Sequence, residues 1–134
     1  MKKSILTLSL LALFAGACKK SSSDSPQSAI VGKWYLKKSV TTTHSTNQSV
    51  PDNTQTNTGY TDADWMQFNS NGTWQMSADL VTNGSTGTYS VSGNQLTTQN
   101  GTGTIKTLDA HTLIIDSQEV EGNMTTSTEE TYTK

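Results

Sequence analysis

Five carboxylates fall close together near the end of the chain: Asp116, Glu119, Glu121, Glu129 and Glu130. Two carboxyl groups held side by side can divide acid and base roles in hydrolysis. On a polar hairpin the same residues form a solvated acidic face that keeps a protein soluble, and this is the expected reading. His44 and His111 are the only histidines. A metal site needs three or four converging N, O or S ligands. Asp62 and Asp64 add oxygens, but an aspartate pair alone is a weak signal. Serine is abundant, yet no Gly-x-Ser-x-Gly elbow occurs to expose a nucleophile. These residue types therefore predict no enzyme, no metal site and no cofactor.

Cys18 is the only cysteine, so no internal disulfide can form. It follows a segment of separate character. Lys2 and Lys3 form a positive head, Ile5 to Gly16 an apolar run, and Ala15, Gly16 and Ala17 a small-residue close. That is the three-part plan of a secretory signal. The run is too short for a membrane-spanning helix, which needs roughly 20 residues. Small residues ending in cysteine resemble the bacterial lipobox, with Ala15 where leucine is usual. The resemblance implies cleavage after residue 17, diacylglycerol on the Cys18 sulfur and a lipid-anchored protein of the cell envelope, with the outer membrane the expected address. Each buried CH₂ contributes about 0.8 kcal/mol, so two or three acyl chains hold firmly where one does not.

Removing residues 1–17 leaves 117 residues with seven lysines, no arginine and eleven acids. A mildly acidic, arginine-free domain is a poor partner for nucleic acid, whose phosphates require clustered Lys and Arg. Residues 18–28 are polar and serine-rich, and read as a flexible tether.

The remainder, 29–134, has the composition of β structure. Threonine supplies 23 of the 117 residues, and β-branched side chains suit a pleated surface. Asn71-Gly72, Asn83-Gly84, Gly93-Asn94, Asn100-Gly101 and Gly122-Asn123 recur at strand-length spacing, with Asp109-Ala110 in the one wide gap. Such pairs take the positive backbone angles of tight hairpins. Strands are expected at 33–43, 64–68, 73–82, 85–91, 95–99, 102–108, 112–120 and 124–133. Short connections make each strand pair with its predecessor. Trp74, Met76, Ala78 and Leu80 should share one face. Leu113-Ile114-Ile115 breaks the alternation and leaves the inward face open. Residues 44–63 are expected as a long polar loop, either mobile or folded as a lid. An all-β, eight-stranded antiparallel up-and-down barrel is predicted, closing where the first strand meets the last.

Gly32-Lys33-Trp34 stands where this barrel begins. With Met66 to Trp74, Gly87 to Leu96, Ile105 to Leu108 and Thr112 to Ile115, it resembles the short lipocalin-like domains of bacterial lipoproteins. The resemblance covers about 29–134. It implies a barrel open at one end, with Gly32 and Trp34 as the fold signature and Trp34 a plug at the closed end. Larger lipocalins stack an arginine on that tryptophan, and this chain has none. Trp34, Trp65, Phe68, Trp74, Tyr89 and Tyr132 either fill the core or line a cavity, since eight strands enclose little more than their own side chains. Leu36, Phe68, Trp74, Met76 and Tyr89 are the candidate ligand-lining residues. Trp65 should point outward. Two functions follow as alternatives: carriage of a small apolar or amphipathic ligand, or a loop-mediated contact with an envelope protein or glycan.

Overall fold

A computed structural model of the protein describes residues 25–47, 49–77, 79–80 and 84–134. The signal segment, Cys18 and the first part of the tether lie outside the described residues. One helical turn, α1 (Pro26–Ala29), precedes nine strands: β1 (Gly32–Ser45), β2 (Asn53–Asn57), β3 (Trp65–Phe68), β4 (Thr73–Met76), β5 (Ser85–Ser92), β6 (Gln95–Thr98), β7 (Gly101–Leu108), β8 (Thr112–Glu121) and β9 (Met124–Thr133). Eight of them form a closed antiparallel up-and-down barrel. From β3 to β9 each strand pairs with its predecessor in the wall, and β9 returns to β1 along Tyr35–Ser45.

The turns explain the topology. Gly72, Gly93 and Gly122 adopt positive φ of 80°, 59° and 57° at three hairpins, a conformation that costs glycine little. At the β7–β8 turn the Asp109 carboxylate accepts hydrogen bonds from the backbone N–H groups of His111 and Thr112, both at 2.8 Å. Those donors hold its carboxyl below the ordinary aspartate value.

Three expectations require correction. Residues 44–63 are not a structureless loop: β1 continues to Ser45, and β2 pairs with its residues 39–43. Alternating Thr and Gln or Asn side chains in β2 are all exposed, so the strand carries no hydrophobic signature. The strand expected over 73–82 ends at Met76; Asp79 and Leu80 lie in a turn. The expected tether is ordered from Ser25. That residue caps α1, Pro26 occupies the first turn, where its missing N–H costs nothing, and Gln27 Oε1 accepts the Val91 N–H of β5 at 2.7 Å.

The core is apolar at one end. Ile30, Trp34, Phe68, Leu36, Leu113 and Tyr132 are the largest fully buried side chains. Leu113 and Ile115 face inward and Ile114 is half-buried on the outer side, which resolves the ambiguous run. Trp34 is wholly buried; its indole N–H donates to the Ile30 carbonyl at 2.7 Å, tying β1 to the end of α1. Lys134 stacks on this indole: its ammonium lies 4.2 Å from the Trp34 ring centroid and donates to the Val31 carbonyl at 3.0 Å. Gly32 has φ of 133°, and a Cβ there would meet Lys134 Cε at 2.9 Å. The Gly-x-Trp pair thus has a local cause: glycine leaves room for the lysine that covers the tryptophan. Trp65 is half-buried and carries Lys33 Nζ at 4.0 Å. Among the described residues the buried apolar side chains all lie between Ile30 and Tyr132, and the wall is sealed by the β1–β9 pairing. The described segment therefore carries an apolar core of its own inside a closed wall, which is what a unit able to fold alone requires.

Candidate functional site

The two ends of the barrel differ in side-chain size and polarity. α1, Ile30, Trp34 and Lys134 close the base. Toward the other end the inward positions become Thr98, Gly101 and Gly103 on β6 and β7, Ser117 and Glu119 on β8, and Thr126, Thr128 and Glu130 on β9. Small side chains leave space that larger ones would fill. A cavity of about 470 Å³ opens there, within the usual range of small-molecule sites. Its apolar floor is Met66, Trp74, Met76, Leu96, Ile115 and Tyr132.

Glycines shape this end. A Cβ on Gly103 would meet Ile115 Cγ2 at 2.7 Å, so glycine lets β8 pack against β7. On β5 the carboxamide of Gln99 occupies the place of a Gly87 Cβ. Gln99 Nε2 donates to the Thr86 carbonyl at 2.5 Å, and its Oε1 accepts the Trp74 indole N–H at 3.3 Å. The Trp74 ring is thereby fixed as part of the cavity floor.

Glu130 is the charged group set deepest in this site. It lies opposite Ile115 on β8 and Ser39 on β1, half-buried, with its side chain on the cavity wall. Tyr132 Oη donates to Glu130 Oε2 at 2.9 Å. Burial pushes the Glu130 carboxyl above its ordinary value, and the Tyr132 donor offsets part of that rise. Tyr132 is pushed well above its ordinary value, first by burial and then by the adjacent carboxyl, so it stays protonated as the donor. Tyr60, from the segment after β2, reaches in to share a hydrogen bond with the Ser39 hydroxyl at 2.7 Å.

Of the five candidate ligand-lining residues, Trp74 and Met76 line the cavity. Leu36, Phe68 and Tyr89 do not: they are buried in the core and belong to its packing. Phe68 and Tyr89 meet edge to face with centroids 4.8 Å apart, and the Tyr89 hydroxyl donates to the Asn69 carbonyl at 3.0 Å. The expected acidic face divides. Glu129 and Asp116 point outward to Lys106, at 3.0 and 3.3 Å. Glu130 points inward, contrary to the solvated reading. The parity of β9 held the signal: Glu130 and Thr128 sit two and four residues before Tyr132 and share its face.

The other sequence candidates do not converge. His44 Nδ1 is 2.6 Å from Asp52 in the exposed β1–β2 hairpin, while His111 lies in the β7–β8 turn. Asp62 pairs with Lys37 at 2.9 Å, and Asp64 accepts the Thr61 N–H at 2.6 Å. Among the described residues no group of three His, Cys, Asp or Glu side chains is arranged to hold a metal. Comparisons with protein-family models, curated proteins and solved structures found no match to this chain.

Proposed function

We propose that this protein is a lipid-anchored, lipocalin-like envelope protein that carries a small amphipathic ligand in its barrel. The observation that supports the reading is the cavity of about 470 Å³, apolar at its floor and polar at its walls. A barrel of eight strands fills itself readily with side chains. Here Gly101, Gly103, Thr98, Ser117 and Thr128 stand at inward positions where larger residues would close the space. The anchor rests on Cys18 and the signal-like segment before it. Binding by this route is non-enzymatic, with no cofactor and no nucleic acid.

Native mass spectrometry of the protein purified from the membranes of its own host tests both halves of the reading. The expected mass is that of the chain from Cys18 onward, increased by acyl groups, with a small molecule released on collisional activation. Thr128→Trp, which places an indole in the cavity, should lose that molecule and keep the acyl groups. An unmodified chain would refute the anchor, and a ligand retained equally by Thr128→Trp would refute the cavity as its site.

A second reading, an envelope interaction module, draws on β2. Among the described residues that strand pairs with β1 alone, and it is exposed along its whole length, so its outer edge can accept an added strand from a partner. A photo-crosslinker at Thr56 that captured a single defined partner in cells, with the barrel free of ligand, would favour it.

A further inference from the structure

We propose that the ligand is an amphiphile bearing a protonated amine, with the ammonium group on the Glu130 carboxylate and the hydrocarbon part on the floor formed by Met66, Trp74, Leu96 and Ile115. This specifies the chemistry of the ligand-carrying reading and rests on it. Two carboxylates, Glu130 and Glu119, line the cavity, and among the described residues no lysine or histidine lines it.

The lysines of the described segment have other positions. Lys106 bridges Asp116 and Glu129 on the outer wall, and Lys37 pairs with Asp62. Lys134 covers Trp34 at the base, Lys33 covers Trp65 outside, and Lys38 is exposed. Among the described residues Glu130 therefore has a hydrogen-bond donor in Tyr132 but no cation. Among the described residues Tyr132 is the only hydrogen-bond partner of its carboxyl, and the donor reaches Oε2 alone. Ser39, directly opposite, is engaged with Tyr60.

A carboxyl placed in a partly desolvated cavity without a countercharge is costly to ionise, and burial raises its pKa accordingly. A ligand that brings its own positive charge removes that cost and gains a charge-assisted hydrogen bond. A fatty-acid-like anion would instead meet two carboxylates in the same cavity. An uncharged alcohol would gain the apolar floor and a hydrogen bond to the carboxyl, but brings no positive charge to offset the cost of ionising it.

The test is tryptophan fluorescence titration of the 25–134 segment at pH 7 with octylamine, 1-octanol and octanoate, reading the change in total emission, to which Trp74 on the cavity floor contributes. Octylamine should bind about ten-fold more tightly than 1-octanol and more tightly still than octanoate. Glu130→Gln keeps an oxygen that can accept the Tyr132 hydroxyl. It should abolish the preference for octylamine over 1-octanol, with both still bound through the apolar floor. Octanoate binding as tightly as octylamine, or an unaltered octylamine affinity in Glu130→Gln, would overturn the amine assignment while 1-octanol binding preserved the cavity reading. If none of the three binds, both readings fall. Retained 1-octanol binding by the variant also certifies that its barrel has folded.

Discussion

Glu129 and Glu130 are neighbours in sequence and opposites in environment. Glu129 is on the outer wall against Lys106 at 3.0 Å, while Glu130 faces the cavity with Tyr132. Two residues in a row on a strand must part in this way, and the partition decides what each carboxylate does. For Glu130 the raised pKa has a consequence for the empty barrel. The folded state holds its proton to a higher pH than the unfolded chain, whose glutamates titrate at about 4.3. Stability from that difference is fully present below the unfolded value and is lost as pH rises through the folded value. Glu130→Gln abolishes the titration. Melting temperature plotted against pH should therefore fall for the wild-type protein, relative to Glu130→Gln, once pH climbs above the ordinary glutamate range. Parallel curves through that window would show that Glu130 is solvated.

At the scale of elements, two irregularities keep the inward faces in phase. β1 slips between Leu36, opposite Tyr132, and Lys38, opposite Thr131; β7 slips between Ile105 and Thr107. Each bulge inserts one unpaired residue, Lys37 and Lys106 respectively, and both lysines are exposed. Leu36 and Ser39 can then both face inward, with Lys37 and Lys38 both outside. Deletion of Lys37 should leave a regular ladder in the same register. The variant should fold and lose little beyond the exposed Lys37–Asp62 pair. Deletion of Thr41, within the regular part of the strand, moves its neighbours to the wrong face and should prevent folding. Circular dichroism and melting curves of the two variants check this, and equal damage from both would show that the bulge is not a register device. These bulges also mark what sequence reading could not reach. Gly72, Gly93 and Gly122 announce their turns locally, and Trp74 and Met76 announce a face by alternation. A bulge depends on the partner strand, and β2 is an all-exposed strand of polar residues, so neither has a local signature. Lys134 over Trp34 is likewise a contact between the two ends of the domain, invisible to spacing.

At the scale of the whole molecule the barrel has a gradient from base to mouth. Trp34, Phe68, Leu113, Tyr132 and Ile30 are nearly or wholly inaccessible at the base, whereas Thr126, Thr128 and Ser117 face the cavity near its opening. Burial of a large apolar side chain contributes about 1.5–3 kcal/mol, and threonine far less, so stability must concentrate at the closed end. The mouth, by contrast, is held by strand hydrogen bonds and by side-chain pairs such as Thr41 with Thr128 at 3.4 Å. This division suits the proposed carrier, because the end that would admit a ligand can open without disturbing the core. Amide exchange should be slowest along residues 33–36, 66–68, 113–115 and 131–132, and faster along 40–45 and 118–127. Trp34→Ala should cost about 3–5 kcal/mol and accelerate exchange at every one of these sites, because it removes the side chain that α1, β1 and Lys134 share. Thr43→Ala should accelerate only the mouth. Trp65→Ala, on the outer wall under Lys33, should cost less than Trp34→Ala. Uniform protection from base to mouth, or a greater loss from Trp65→Ala than from Trp34→Ala, would place the stabilising core elsewhere in the barrel.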